Sequence, residues 1–266
     1  MTPNHEDITF NGGKLYHIYS TTVGKRKGGL VYNAEYTSSD SQQALVLGKK
    51  QLKVDGECSA LHSEGDKWVF YRRQDNYKGP EPIVPLALGK QLPQYNQGGK
   101  EHNYSWLYAD PEWTTGKGKR RSYPGPDTYS AITKAVEAGL LPKADDPGAP
   151  EWITCEWVGT KHQQNMDGIP YEHALIPHLH PFVPELELTT LQEFIKLAST
   201  DCFEGLVVLH PNGTRYKMRS DMTGDSQWEQ HRSKKPAEPG VTTIRPQVLT
   251  KEGLLVWNRQ EWVLQK

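Results

Sequence analysis

Lys53-Val54-Asp55-Gly56-Glu57, with the run that carries it on to Arg73, is the stretch from which the rest of the chain is read. A strand over residues 53–60 alternates its faces, so Lys53 and Asp55 are expected on one side and Val54 and Gly56 on the other. An amine and a carboxylate then share a pocket, and Gly56 removes a side chain where a ligand must come close to the backbone. Leu61-His62-Ser63-Glu64-Gly65-Asp66 reads as a turn, and Trp68-Val69-Phe70-Tyr71 as a returning strand that delivers Arg72 and Arg73 to the hairpin's open end. An incidental lysine on a surface hairpin is the competing reading. Only about 0.06 copies of Lys-x-Asp-Gly are expected by chance in a chain of this length, which makes the match suggestive and insufficient alone.

The 266 residues can bury a substantial core. With 35% hydrophobic and 24% charged residues, 24 Gly, 19 Pro and 8 Trp, the composition is that of a folded, polar, loop-rich protein. Lys and Arg number 31 against 32 Asp and Glu, so no global basic field attracts a polyanion, and any polyanion site must be local. Cys58, Cys155 and Cys202 are too few and scattered for a disulfide framework or a zinc knuckle, which points to a reducing interior. The first seven residues lack the basic and apolar regions of a signal peptide, and no run approaches about 18 apolar residues. A soluble intracellular protein with no membrane partner is expected, and a monomer.

Short strands are expected at Ile8 to Phe10, Leu15 to Tyr19, Leu30 to Tyr36 and Ala44 to Leu47. Tyr77 to Pro126 reads as irregular, and holds the one concentrated basic run, Lys117-Gly118-Lys119-Arg120-Arg121, a phosphate-backbone contact or a solvated loop. Asp127 caps a helix from Thr128 to about Leu141. Trp152 to Val158 is a strand with Glu156 inside an apolar run, expensive unless something pairs with it. Thr189 or Thr190, with Gln192 or Glu193 three residues on, forms a capping box for a helix ending near Asp201. His162, His173, His178 and His180 fit no standard zinc spacing and read as core or turn histidines.

Residues 204–219 read as a hairpin: Glu204-Gly205-Leu206-Val207-Val208-Leu209, a Pro211-Asn212-Gly213 turn, then Thr214 to Arg219. Period two puts Arg215, Lys217 and Arg219 on one face of the returning strand, an arrangement suited to a polyphosphate. The order of these pieces is stronger than any one of them. Lys-x-Asp-Gly comes first, then an arginine after a hairpin, a mid-strand glutamate, Glu-Gly-Leu-Val, and Lys-x-Arg.

That order resembles the covalent nucleotidyltransferase superfamily of DNA ligases, RNA ligases and mRNA capping enzymes. Within it the chain is most similar to the small 5′-to-3′ RNA ligases of vertebrates and some viruses. The similarity lies at Lys53 to Gly56, Glu156-x-x-Gly159-Thr160, His173-x-Leu175-Ile176-Pro177-His178, Glu204-Gly205, Lys217 and Gly253 to Trp257. Where that family often has a second lysine stands Arg219, which keeps the charge and changes its geometry. The resemblance implies an α+β nucleotidyltransferase (ATP-grasp-like) domain of antiparallel sheets with flanking helices, ATP lying between the sheets. One domain over 1–266 is expected, with 220–266 a short C-terminal extension: only 47 residues follow Arg219, and a five-stranded OB domain does not fit in the 26 beyond Gly240. This favours an RNA ligase over DNA ligases and capping enzymes, which normally carry that domain, and leaves a minimal DNA ligase as an alternative. A non-catalytic RNA-binding module is the alternative of another class.

The resemblance further implies that Lys53 is the nucleophile, attacking the α-phosphorus of ATP to give a lysyl-adenylate. The adenylate then passes to a 5′-phosphate of RNA, and a 3′-hydroxyl seals the strand. Leu52, Lys53, Asp55, Gly56, Arg72, Glu156, Glu204, Lys217 and Arg219 would line the nucleotide, Glu156 accepting from a ribose hydroxyl. Glu204 and Asp55 would hold Mg²⁺ or Mn²⁺, and Lys117, Lys119, Arg120 and Arg121 would touch RNA. Near pKa 10.4 a lysine is neutral in only about one molecule in several thousand at pH 7, so Lys217, Arg219 and Arg72 are expected to depress the pKa of Lys53.

Overall fold

A computed structural model describes residues 15–24, 29–75, 104–108, 126–163, 165–231 and 244–265. They form a mixed α+β protein of mostly antiparallel sheet and few helices, in which neither large sheet closes into a barrel. The strand expected at 8–10 and the basic run 117–121 lie outside the described residues.

The strands in chain order are β1 Tyr16–His17, β2 Tyr19–Val23, β3 Leu30–Tyr36, β4 Lys49–Lys53, β5 Glu57–Glu64, β6 Lys67–Asp75 and β7 Tyr104–Tyr108. There follow β8 Trp152–Val158, β9 Ala174–Pro177, β10 Gly205–Leu209, β11 Arg215–Arg219, β12 Val248–Thr250, β13 Gly253–Trp257 and β14 Trp262–Gln265. The helices are α1 Ser39–Leu47, α2 Pro126–Glu137, α3 Leu191–Thr200 and the short α4 Gln227–His231. A small sheet runs β1-β11-β10-β4, a large one β14-β13-β12-β9-β8-β5-β6-β7, and β2-β3 form a ribbon. Among the described strands only the β1–β11 pair is parallel.

Ala44 to Leu47, expected as a strand, lies in α1. Ser38 accepts from the Ser41 amide while the Ser41 hydroxyl accepts from the Ser38 amide, a reciprocal cap that starts the helix upstream of the apolar run. Ala44 and Leu45 are buried, whereas Val46 and Leu47 are 51% and 66% exposed, a one-sided pattern of helical period. At Gly48 a Cβ would stand 2.4 Å from the Leu209 carbonyl oxygen and 2.5 Å from that of Ala44, so only glycine lets the chain leave α1 directly into β4. The box at Thr190 and Glu193 starts α3, and the 204–219 hairpin forms with the expected strands and turn.

Three other expectations are corrected. The Asp66-side turn is confined to Gly65-Asp66, because β5 runs to Glu64. The region 77–126, read as irregular, contributes β7, paired along β6. The residues after 220, expected as a short extension, contribute β12 to β14 to the large sheet through the Leu249–Leu175 pair. Helix α2 lies on β9, β12 and β13, and α1 on β3, β4 and β10. One apolar core joins them, with Leu52, Leu206, Val208 and Met218 from the small sheet and Leu61, Phe70, Ile153, Trp157 and Leu175 from the large.

Candidate functional site

Strand β4 ends at Lys53, and residues 54–56 cross from the small sheet to the large one. The single strand expected over 53–60 is therefore two strands in different sheets, and strand alternation does not carry Asp55 onto the face of Lys53. The crossing still brings the two together, because it is tight. At Gly56 a Cβ would lie 2.8 Å from Val158 Cγ1, 2.9 Å from the Trp157 carbonyl and 3.1 Å from Glu156 Cβ, so the loop rests directly on β8 beside Glu156. Val54 is buried in the core and anchors it.

Register builds the other wall. Gly205 pairs with both Lys53 and Arg219, Val207 with Gln51 and Lys217, and Leu209 with Lys49 and Arg215. Lys49, Lys53, Arg215, Lys217 and Arg219 therefore share one face of the small sheet, while Leu52, Leu206, Val208, Tyr216 and Met218 share the opposite, core-facing one. Glu204 enters at the head of β10, and Gly205 is held at φ +156° where a Cβ would stand 2.0 Å from the Met218 carbonyl. A Glu-Gly pair here is a packing requirement as well as a chemical one.

The Lys53 ammonium donates to Glu204 at 2.6 Å, with their side chains 23% and 10% exposed. Burial works to lower the pKa of Lys53, but the carboxylates of Glu204, Glu156 and Asp55 outweigh it, and the amine is held above its ordinary value. The expected depression by Lys217, Arg219 and Arg72 is corrected: the nearest charges are carboxylates, not cations. Burial drives Glu156 up to about 8, with Glu204 and Asp55 adding to the rise and Lys53 and Arg73 opposing it. Its Oε2 is buried without a hydrogen-bond partner, and its Oε1 lies 3.8 Å from His178 Nε2. Burial, with Arg215 and Lys53 nearby, lowers His178 to about 3, so the ring is neutral and hydrogen-bonds Thr154 Oγ1 at 3.1 Å. These cross-sheet effects put Lys53 and Arg215 of the small sheet opposite Glu156 and His178 of the large one.

Three expected residues differ in detail. Leu52 faces the core, not the site, and its amide donates to the Pro184 carbonyl. Arg72 pairs with Ser59, which pairs with Cys155, so it shares the face of the core residues Phe70 and Ile153; Arg73, on the other face, is the arginine that acts with Lys53 on Glu156. The parity was open to reading from Trp68 and Phe70, but buried Tyr71 on the opposite face obscures it. The Arg219 guanidinium is forked onto Asp221, through Nε at 3.0 Å and Nη2 at 2.6 Å. That fork and its charge outweigh burial and raise the Arg219 pKa. Lys217 remains beside His17, whose pKa burial and the cations Lys217 and Arg219 lower to about 3. His17, Asp221 and the neutral His178 carried no signal in sequence spacing that named a role.

Among the described residues no group of three or more His, Cys, Asp and Glu is arranged to hold a metal ion. A magnesium ion that keeps several waters and binds phosphate oxygens needs only one or two protein carboxylates, a demand that Glu204 and Asp55 can meet. Among the described residues no helix is long and apolar enough to cross a membrane. No protein-family model matches the chain, and no curated protein matches it.

Proposed function

We propose that the chain is an ATP-dependent RNA ligase that works through a lysyl-AMP intermediate on a nucleotidyltransferase fold. The observation that carries this reading is the Lys53 amine, hydrogen-bonded to Glu204 at 2.6 Å at the end of a strand whose sheet face also bears Arg215, Lys217 and Arg219. A half-buried lysine among carboxylates and beside a row of cations suits a nucleophile that meets a triphosphate, where positioning and electrostatics do most of the catalysis.

The amine must lose a proton before it attacks, and Glu204 is the acceptor within reach. Nζ then bonds to the α-phosphorus, and the bond to the β-phosphate bridging oxygen breaks, releasing pyrophosphate. Lys217 and Arg215 offset the charge of the phosphates, and Arg73 that of Glu156. Glu156, protonated through much of the neutral range, can donate to or accept from a ribose hydroxyl. Glu204 and Asp55 would hold a Mg²⁺ or Mn²⁺ ion, which supplies charge neutralisation of the pyrophosphate leaving group.

Incubating the protein with α-labelled ATP and Mn²⁺, then denaturing it, gives the test. Wild type is expected to retain label as a single added AMP and Lys53→Ala to retain none; label on Lys53→Ala refutes the assignment. Unchanged mass in wild type favours a non-catalytic RNA-binding module. Labelling by GTP in place of ATP favours a capping guanylyltransferase. Sealing of a nicked DNA in preference to a 5′-phosphorylated nicked RNA favours a DNA ligase.

A further inference from the structure

Lys49 stands on the same face of β4 as Lys53, four residues earlier and about 13 Å away along the strand. Beside it opens a cavity of about 640 Å³, lined among others by Lys49, His180, Glu185, Arg245, Gln247 and Trp257. That volume falls in the range of small-molecule sites.

Two donors on its lining residues lack acceptors: Arg245 Nε and Trp257 Nε1 are buried and have no hydrogen-bond partner. Buried polar groups are rarely left so unless a ligand or water satisfies them. The rest of Arg245 is already fixed. Its Nη1 donates to the Asp167 carbonyl and lies 3.6 Å from Asp167 Oδ1. Its guanidinium stacks 4.2 Å from the Trp257 ring centre and 5.5 Å from that of Trp262. The stack is therefore preformed, with the unmet nitrogens left over. At the rim, Lys49 pairs with Glu185 at 3.4 Å, with side chains 70% and 38% exposed, a contact that opens at little cost.

The charges of Lys49 and Arg245 call for anionic oxygens, and an indole with prolines at its side accepts a flat ring. We propose that this cavity seats one nucleotide of the polynucleotide strand, with Lys49 and Arg245 toward its phosphate and Trp257 toward its base. The inference rests on the ligase reading above. A strand is favoured over a free nucleotide because Lys49 and Lys53 share one cationic sheet face, along which successive phosphates can run from the cavity to the adenylated lysine.

Trp257→Phe keeps an aromatic ring but loses the indole's second ring and its donor, and Gln247→Glu adds a negative charge to the cavity. For both, Lys53 labelling by α-labelled ATP is expected to match wild type. The dissociation constant for a 5′-phosphorylated oligoribonucleotide, measured by fluorescence anisotropy, is expected to rise about fivefold or more, in the range base stacking and phosphate contacts supply. Two variants that melt like wild type and bind the oligonucleotide like wild type overturn the proposal. Free AMP that displaces the oligonucleotide from wild type but not from Trp257→Phe overturns the strand assignment in favour of a mononucleotide pocket. If wild type binds the oligonucleotide but takes no label from ATP, the ligase reading falls, and the variants' affinities still decide whether the cavity is the binding site.

Discussion

Replacing Glu204 by Gln separates the charge state of Lys53 from its proposed catalytic use. The pair meets at 2.6 Å with both side chains largely buried, so the hydrogen bond between charged groups is worth about 1.5–3 kcal/mol. At about 1.4 kcal/mol per tenfold in a protonation equilibrium, losing about 2 kcal/mol of stabilisation of the charged amine lowers the pKa of Lys53 and raises the neutral fraction at pH 7.5 about 30-fold. Glu156 and Asp55 remain and keep the fall from being larger. Chemical reactivity and AMP transfer should then move in opposite directions. Acylation of Lys53 by a small amine-selective reagent, followed by peptide mapping against exposed Lys196 as internal reference, should quicken by about that factor. Transfer of AMP should fall, because the proposed proton acceptor and the proposed metal ligand are lost together. Unchanged or slower acylation of Lys53 in Glu204→Gln would show that Glu204 does not hold the amine protonated, and the electrostatic account of the site would fail.

The remaining expectations concern neighbours. Glu156 has an ordinary value of 4.5 and a folded one of about 8, so between those pH values only the folded state keeps the proton. Stability should fall as pH rises through that window and level off above it; Glu156→Gln binds no proton, so its melting-temperature advantage should be larger at pH 8.5 than at pH 5, and an equal offset at both refutes the assignment. Gly56→Ala must push the 54–56 loop off β8, and is expected to cut AMP transfer tenfold or more while the melting temperature drops only modestly; transfer at the wild-type rate contradicts the packing account. Arg73→Ala should weaken ATP binding more than Arg72→Ala, measured by labelling against ATP concentration, and the reverse order would restore Arg72 to the site.

Much of the site is legible in the sequence where one residue decides one local feature. The 204–219 hairpin has a Pro-Asn-Gly turn between two runs of alternating burial, and Glu156 announces itself as a charge inside an apolar strand. Ala44 to Leu47 fails because four apolar residues carry no period, and the deciding signal lies upstream in the Ser38–Ser41 box. The pKa of Lys53 fails for a different reason. Sequence order names which charges share a pocket but not which is nearest, and a carboxylate 151 residues away in the chain proves closer than the cations. Alternation likewise cannot register that a strand has left one sheet for another between Lys53 and Glu57.

What brings such distant residues to one point is strand register. Lys53, Gly205 and Arg219 lie side by side across three strands of the small sheet, so the proposed nucleophile, the glutamate before Gly205 and the end of the cationic row meet at one end of those strands. A slip of one residue would turn Lys53 toward the core and Leu52 toward the site. The slip is resisted from both sides. Leu52, Leu206 and Met218 are each at most 4% exposed, and would exchange burial for solvent. Gly205 is the only residue type that can pass within 2.0 Å, measured from a would-be Cβ, of the Met218 carbonyl, so no neighbour in sequence can take its place in the ladder. The same alternation that fills the core with Leu52 and Met218 therefore holds the reactive amine and its glutamate in place, and the chemistry of the site is inherited from the packing behind it.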